Sequence, residues 1–317
     1  MNITAKLITY NRSSDLKLTL DSWFKSDLCR IPLEILDNAS SDETEIMLKE
    51  AVLNYPTLQV YRHRINIGSA GNLFRAYERF ESDYCWLLCD DDIIHEDRVQ
   101  LLFDSLELKP DAVLVGSGGV TRSDGGFTGN VQQFIEKGGK FFFAGSFLPG
   151  LIFKRKYLQD NNTLLKCYKA AGSIYPHAPL LEEIAMSAAH IICLDEPLIE
   201  RKPNDDTKFI EANWLYEGMH AGSYLTHYQD NWNNDFIECQ GFHQVKHTIL
   251  AILHLKAVGL LSISRAITLV VSIPGKWWWL KILLLCSIFI PQFILQLGRK
   301  LIGTSRNREQ VNKSLRI

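Results

Sequence analysis

Residues 84–92 have the sequence YCWLLCDDD, in which six mostly apolar residues lead directly into Asp90, Asp91 and Asp92. An apolar run of this length before turn-forming residues is typical of a buried strand in a parallel sheet. Open α/β sheets bind ligands at the carboxyl ends of their strands, and the three aspartates follow such an end. The stretch therefore predicts a buried central strand with a ligand-binding edge.

Three adjacent carboxylates repel one another unless a cation lies among them. Two unit charges about 4 Å apart repel by about 4 kcal/mol at an effective dielectric constant near 20. A hard divalent metal ion that also binds phosphate oxygens would relieve this repulsion. The alternative is a solvated acidic turn that begins the next helix, because Asp is favoured there as well.

The segments before residue 84 alternate between strand and helix patterns. Strand patterns occur at residues 3–9, 33–36 and 58–62, and a polar turn and a helical pattern follow each of them. This alternation predicts a mostly parallel sheet with helices on both faces. Further strands are predicted at 112–116 and 190–194, and the Gly- and Ser-rich segment 118–140 predicts hairpins or a loop.

The polar turns, in their order and spacing, resemble the amino-terminal half of the family-2 glycosyltransferases of the GT-A fold. They comprise residues 9–12 (TYNR), 37–42 (DNASSD), 66–72 (NIGSAGN) and 90–92 (DDD). Any one of these turns alone is more often a helix cap than a binding site. The set of four covers roughly residues 1–120 and implies a nucleotide-sugar site at the carboxyl edge of the sheet.

The resemblance also implies which residues meet the donor. Thr9 and Asp37 would contact the base and ribose of the nucleotide, and Asp92 would lie nearest to a Mn²⁺ or Mg²⁺ ion on the diphosphate. Gly68 permits close backbone approach, and a helix amino terminus favours phosphate. The implied metal ligands are the DxD pair, Asp92 and Asp90. The implied nucleotide-sugar-binding residues are Thr9, Tyr10, Asn11, Arg12, Asp37, Asn38, Asn66, Gly68, Asn72, Asp90 and Asp91.

The catalytic base is the point at which this sequence departs from the family. Many relatives carry an acidic pair at the start of a helix, and counting back from strand 190–194 that place falls near His177. An imidazole titrates close to working pH and suits the role of base, although a helix-start histidine can instead make a structural hydrogen bond. Glu182 and Glu183 follow about a turn and a half later. His177, Glu182 and Glu183 are therefore all candidate catalytic residues.

The net charge of −2 is the sum of an acidic part and a basic part of the chain. Residues 1–239 contain 23 Lys and Arg against 35 Asp and Glu, whereas residues 240–317 contain 11 against one. We predict a catalytic domain at 1–205, with a nucleotide-sugar-binding half at 1–120 and an acceptor half at 121–205. A helical, apolar and basic extension is predicted at 206–317. An acidic body with a basic tail indicates an anionic surface as partner and does not indicate nucleic acid.

The apolar tail predicts contact with a membrane. Three tryptophans at 277–279 precede a mostly apolar stretch at 282–297 that Pro291 interrupts. As a helix this stretch would span about 24 Å, less than the ~30 Å of a hydrocarbon core, so helices in the interface are favoured over a spanning helix. The alternative is that these helices pack on the catalytic domain. The basic residues that would bind an anionic leaflet are Lys276, Lys281, Arg299, Lys300, Arg306 and Arg308.

No signal sequence follows Met1, and seven scattered cysteines show no disulfide or zinc spacing. We therefore expect a peripheral or monotopic protein at the cytoplasmic face of the plasma membrane. The family resemblance implies an inverting glycosyltransferase with a lipid-linked saccharide acceptor, and the segment 195–199 (DEPLI) resembles O-antigen transferases. The alternatives are a sugar-nucleotide pyrophosphorylase, whose glycine-rich first loop is absent at residues 9–12, and a non-catalytic nucleotide-sugar-binding protein.

Overall fold

The computed structural model describes residues 2–116, 126–137, 139, 141–171, 176–201 and 291–301, together with residues 253, 256, 279, 282, 285, 286, 289 and 290. The strands are β1 Ile3–Thr9, β2 Leu33–Asp37, β3 Leu58–Arg62, β4 Tyr84–Cys89, β5 Asp92–Ile94, β6 Ala112–Leu114, β7 Phe127–Asn130, β8 Leu151–Lys154, β9 His190–Cys193 and β10 Ile199–Arg201. The helices are α1 Ser13–Lys25, α2 Thr44–Asn54, α3 Gly68–Glu78, α4 Val99–Glu107, α5 Val131–Glu136, α6 Phe141–Ser146, α7 Lys156–Gln159, α8 Asn161–Lys169, α9 Ala178–Met186 and Gln292–Leu301, here called α10.

The central sheet has the strand order β3-β2-β1-β4-β8-β6-β9-β7. β1 pairs in parallel with β2 and β4, and β2 pairs in parallel with β3. These four strands and the helices between them confirm the alternation predicted for residues 1–90. Because the strands are parallel, their carboxyl ends lie along one edge of the sheet.

The second half of the sheet is mixed. β8 runs antiparallel to β4 and β6, β6 pairs in parallel with β9, and β7 pairs antiparallel with β9. Within the segment predicted to form hairpins or a loop, residues 126–137 form β7 and α5. Asn130 and Gln133 close the start of α5 with a reciprocal capping box, which explains why a helix begins there.

The core lies on both faces of the sheet. Leu16, Leu20 and Trp23 form the buried face of α1, and the Trp23 ring lies 5.4 Å from that of Trp86 in β4. Burial of a large apolar side chain stabilises the fold by about 1.5–3 kcal/mol. Trp86 Nε1 also donates a hydrogen bond of 2.9 Å to the carbonyl of Pro149, which ties β4 to the turn before β8.

The acidic triplet does not lead directly into a helix. Asp92 is the first residue of β5, which pairs antiparallel with β10 in a separate two-stranded sheet, with Asp92 in register with Arg201. A short 3-10 helix at Glu96–Arg98 follows, and α4 begins only at Val99. The third aspartate is therefore fixed by strand pairing rather than by helix capping.

The described residues from 2 to 201 form one compact unit, and those from 253 onward belong to a second. The predicted domain boundary at 205 lies outside the described residues, as do most of the tail and the side chains of its six basic residues. In α10 and the residues just before it, Phe289, Phe293 and Leu297 are four apart and exposed. No helix in the described part of the chain is both long enough and apolar enough to cross a bilayer.

Candidate active site

The carboxyl ends of β1, β2 and β4, with the turns that follow them, form what we call the polar edge. Thr9 at the end of β1 is in register with Asp37 at the end of β2, and Ile8 is in register with Cys89 of β4. Thr9 Oγ1 donates a hydrogen bond of 2.6 Å to Asp90 Oδ2. Sheet register therefore brings the first, second and fourth predicted motifs together.

Asp90 is the buried member of the acidic triplet, with only 6% of its surface exposed. Burial raises the pKa of Asp90 to about 6, against the opposing effects of the Thr9 hydrogen bond and the Arg12 charge. The Asp90 carbonyl also accepts a hydrogen bond of 3.0 Å from Thr19 Oγ1 of α1. Side chain and main chain of Asp90 are thus both held by neighbouring elements.

A cation of the chain itself lies against the triplet. The guanidinium of Arg12 pairs with the carboxylate of Asp91, and its Nη1 lies 3.7 Å from Asp90 Oδ1. The sequence places Arg12 in the predicted nucleotide-sugar site but gives no sign of this ion pair. Part of the repulsion that led us to expect a cation among the aspartates is therefore relieved by Arg12.

Asp37 is completely buried, and both of its carboxylate oxygens have partners. Oδ1 accepts a hydrogen bond of 3.0 Å from the Ser40 N–H, and Oδ2 pairs with Arg62 Nη1. Arg62 Nη2 also donates to the Ser40 carbonyl at 2.7 Å. Arg62 is a site residue that the motifs did not reveal, although its place at the end of β3, in register with Asp37, could have suggested it.

The first two turns of the polar edge are hydrogen-bonded to each other. The Asn11 N–H donates to Ser40 Oγ at 2.9 Å, and the Ser41 N–H donates to Asn11 Oδ1 at 2.7 Å. Asn11 has a φ of 53°, in the left-handed region that asparagine tolerates better than most residues. Tyr10 lies next to this junction with its side chain exposed.

The third motif joins the second through amide side chains. Asn38 Nδ2 donates to Asn66 Oδ1 at 2.9 Å and to the Gly68 carbonyl at 3.2 Å. Gly68 has a φ of 79° and opens α3, with open space where a Cβ would lie. Asn72 is buried, donates to the Leu36 carbonyl at 3.0 Å and lies 3.0 Å from His63 Nε2. Asn72 therefore joins the start of α3 to the end of β2 beneath the polar edge.

His177 lies at the start of α9 and is buried. Its Nε2 lies 3.1 Å from the Gly145 carbonyl of α6, so Nε2 must carry a proton because a carbonyl only accepts. Burial lowers the pKa of His177 to about 4. The side chain thus joins α9 to α6, which is the structural role that the sequence left open as the alternative to a base.

Glu182 is the buried acid of α9, whereas Glu183 is half-buried. Burial raises the pKa of Glu182 to about 7, and the nearby charge of Lys166 opposes this while that of Glu183 adds to it. Glu182 Oε1 makes no hydrogen bond within the described residues. A carboxylate in this environment can take up a proton near neutral pH.

The acidic triplet offers hard oxygen donors for a cation. Asp92 is half-buried at the start of β5, and the Asp91 side chain is 34% exposed. Within the described ranges, no group of three or more His, Cys, Asp or Glu side chains is arranged to hold a metal ion by itself. Mg²⁺ and similar ions are commonly held by one or two carboxylates together with phosphate oxygens. The residues therefore fit a cation shared with a diphosphate, but not a closed site made of protein alone.

The mixed eight-stranded sheet, with helices between its strands and polar residues at the carboxyl ends of β1, β2 and β4, defines an α/β protein of the GT-A fold. Residues 6–174, more than half of the chain, match the family Glycosyl transferase family 2. The chain belongs to this family, and the family and fold predicted from the sequence are confirmed.

One curated relative is the abequosyltransferase RfbV of Salmonella typhimurium, with 32% identity over 117 residues. The matched segment covers 36% of this chain and 35% of that relative, so the chain matches about a third of its length.

Solved structures with the same fold include two of S. aureus TarS and one of a Pyrobaculum calidifontis mannosyltransferase. S. aureus TarS 1–349 in complex with UDP has a TM-score of 0.63 at 16% identity, covering 87% of this chain and 82% of that one. TarS 1–349 with UDP-GlcNAc has a TM-score of 0.63 at 15% identity, covering 100% and 91%. The mannosyltransferase PcManGT of Pyrobaculum calidifontis, in complex with GDP-Man and Mn²⁺, has a TM-score of 0.54 at 14% identity, covering 94% and 86%.

Proposed function

We propose that this chain is an inverting glycosyltransferase that moves a sugar from a nucleotide-sugar donor to a lipid-linked saccharide acceptor, in the synthesis of O-antigen or another surface polysaccharide. The observation that carries the proposal is the meeting of Thr9, Asp37 and Asp90 at one sheet edge within a family-2 fold. Similarity to an abequosyltransferase and to structures bound to UDP, UDP-GlcNAc and GDP-Man supports the donor class.

We expect the exposed residues of the polar edge to contact the donor and the buried ones to position them. Tyr10, Asn11 and Arg12 have accessible side chains that can contact the nucleotide directly. Asp37 and Asn38 are buried and already hydrogen-bonded, so they would act by fixing the turns that carry the contacting groups. Asn66 and Gly68 are exposed where α3 begins, and a helix amino terminus suits a phosphate oxygen, although the Gly68 N–H already donates to Asn66 Oδ1 at 2.8 Å.

We assign the divalent cation to Asp92 and Asp90, with Mn²⁺ or Mg²⁺ as the ion. When bound, such an ion supplies positive charge against the charge that develops on the leaving diphosphate. Pairing of β5 with β10 holds the main chain at Asp92, and Thr9 orients the carboxylate of Asp90. Similarity to a mannosyltransferase solved with Mn²⁺ supports this assignment.

A base must remove the proton from the acceptor hydroxyl, and the three candidates lie within α9 or, for His177, at its N-cap position. The buried hydrogen bond of His177 to Gly145 favours a structural role for that residue. The pKa of about 7 favours Glu182, which would accept the proton in its ionised form. Glu183, half-buried one residue further along α9, is the third candidate.

The described residues of the tail support association with a membrane surface. Phe289 and Phe293 are 84% and 69% exposed, and Leu297 continues the apolar stripe one turn later. A surplus of ten positive charges over residues 240–317 would attract an anionic leaflet. We assign residues 1–205 to catalysis and 206–317 to attachment at the cytoplasmic face.

A deletion of residues 276–317 tests the attachment. The truncated protein should leave the membrane pellet, whereas high salt should release only part of the intact protein, because apolar burial and charge both contribute. Sedimentation of the truncated protein with membranes to the same extent as the intact chain would exclude the tail as the anchor.

A thermal-shift screen of UDP-, dTDP-, GDP- and CDP-sugars, with and without Mn²⁺, tests the donor class. A donor at 100 times its Kd should stabilise the fold by about 2.7 kcal/mol, and at a fixed donor concentration the shift should be larger with Mn²⁺ than without it. A non-catalytic binder would show the shift without transfer to an acceptor, and a pyrophosphorylase would consume the sugar nucleotide only with pyrophosphate. Absence of any shift in the whole panel would contradict the proposal.

A further inference from the structure

The acidic triplet is engaged by groups of the chain itself. The Arg12 guanidinium pairs with Asp91 and lies 3.7 Å from Asp90 Oδ1, and Asp90 Oδ2 accepts the hydrogen bond from Thr9. A divalent cation that approaches the triplet must therefore compete with Arg12 for Asp91 and for one oxygen of Asp90. The competition is between two positive charges for the same carboxylates.

Arg12 is placed so that it can leave this position. The left-handed Asn11 turns the chain just before it, and Arg12 occupies the N-cap position of α1 without capping it through its side chain. The Arg12 side chain is 41% exposed, so the guanidinium can turn from the triplet to an anion in solvent, although it contacts both Asp91 and the buried Asp90. A guanidinium binds a phosphate as readily as a carboxylate, with a similar bidentate geometry.

From this geometry we propose that Arg12 is a built-in counter-ion that weakens the binding of a free divalent cation and moves from Asp91 to the donor diphosphate when the donor binds. The proposal rests on the proposed function, because the diphosphate belongs to the nucleotide sugar. The diphosphate gives the guanidinium another anion, which frees Asp90 for the cation that it shares with Asp92 and leaves the negative charge of Asp91 beside them. Donor and cation consequently bind with positive coupling, each raising the affinity for the other.

Binding of Mn²⁺ alone to the full chain tests the counter-ion, with the electron paramagnetic resonance signal of free Mn²⁺ as the readout. Arg12→Gln and Arg12→Ala should bind Mn²⁺ at least about tenfold more tightly than the wild type without any nucleotide, because the competing charge is gone. Arg12→Lys keeps the charge and should stay within about threefold of the wild type. Lys17→Gln is the matched control, since it removes one exposed positive charge from α1 that pairs with Asp21 rather than with the triplet.

The double variant Arg12→Gln with Asp91→Asn should lose most of the gain in Mn²⁺ affinity. The coupling between Mn²⁺ and UDP or GDP, measured by titration of each with and without the other, should shrink in Arg12→Gln. The proposal would be overturned if Arg12→Gln and Arg12→Ala both bind Mn²⁺ with wild-type affinity while their melting temperatures are normal. It would also be overturned if the double variant with Asp91→Asn keeps the full gain in Mn²⁺ affinity. If the Arg12 variants show the gain while the wild-type chain transfers sugar from no donor, the proposed function is refuted and the role of Arg12 in cation binding stands.

Discussion

The buried acidic side chains at the polar edge differ in their partners from the buried acid of α9. At the polar edge, Asp37 is bonded to Ser40 and Arg62, and Asp90 is bonded to Thr9. In α9, Glu182 is buried with a pKa raised to about 7, and its Oε1 has no hydrogen bond within the described residues. Burial raises the pKa of Asp90 as well, to about 6, but a hydroxyl donor and a cation of the chain lie against its oxygens and fix its geometry. We therefore expect the polar edge to serve binding, and we test α9 for acid–base chemistry.

The largest effect is expected at the polar edge, from Asp92→Asn. Transfer should be abolished, with turnover at least about 10³-fold lower, because a ligand of the charge-stabilising cation is lost. The fold should remain intact, and relief of repulsion within the triplet should leave the melting temperature unchanged or higher. Turnover at saturating donor and Mn²⁺, beside the Asp97→Asn control whose exposed side chain lies on the same segment, checks the assignment. Near-normal turnover in Asp92→Asn would show that Asp92 is not a ligand of the cation.

The next effect concerns the base in α9. Loss of the true base should lower turnover by about 10²–10⁴-fold with little change in donor affinity, and we compare Glu182→Gln, Glu183→Gln and His177→Ala. If Glu182 is the base, wild-type turnover should rise with pH through about 7, because only the ionised carboxylate accepts a proton. Profiles from about pH 5.5 to 9 for all variants make the comparison. If His177→Ala has no activity at a normal melting temperature while Glu182→Gln stays active, His177 rather than Glu182 is the base.

The same glutamate gives a stability test that does not depend on activity. The folded state keeps the Glu182 proton up to about pH 7, whereas the unfolded chain loses it near 4.5. The folded state therefore binds more protons between these values, and this residue makes the free energy of unfolding fall as pH rises through that window. Glu182→Gln should remove this fall, so its gain in melting temperature over the wild type should be larger at pH 8 than at pH 5. An equal difference at both pH values would show that the carboxyl titrates normally.

A smaller effect is expected from Arg62→Gln. Asp37 would lose an ion pair and the Ser40 turn a hydrogen bond, so the donor KM should rise about tenfold while kcat changes by less than about threefold. Arg64→Gln removes the same charge two residues later and is the matched control. A drop in kcat at unchanged KM would mean that Arg62 acts on the transition state rather than on the shape of the polar edge.

The smallest effect is expected from Gly68→Ala. A φ of 79° costs a residue with a Cβ about 1–2 kcal/mol, and the open space around the Cβ position excludes a clash as a further cause. The melting temperature should fall by about 2–4 °C per kcal/mol. Ser69→Ala, within the first turn of α3, should stay close to the wild type. A loss of donor affinity in Gly68→Ala without any loss of stability would instead point to direct contact with the donor.

The polar edge could be predicted because its residues follow strands whose register is fixed. Once β1, β2 and β4 are parallel and adjacent, Thr9, Asp37 and Asp90 must meet at one edge. The partners Arg12 and Arg62 could not be predicted in detail, since a long side chain reaches several acids and the motif does not specify which one. In α9 the protonation of His177 and Glu182 depends on burial by helices far apart in sequence, and no local pattern encodes it.

The pairing of β5 with β10 has a consequence for how the protein is made. Asp92 is held by a strand that begins more than a hundred residues later, at Ile199, whereas Thr9 and Asp90 are joined through strands close to the amino terminus. Ribosomes add about 5–20 residues per second, so for several seconds a nascent chain has β1 and β4 but no partner for β5. The part of the polar edge around Asp92 is therefore the last to be assembled, and in a chain released before Ile199 the strand that carries Asp92 would have no partner.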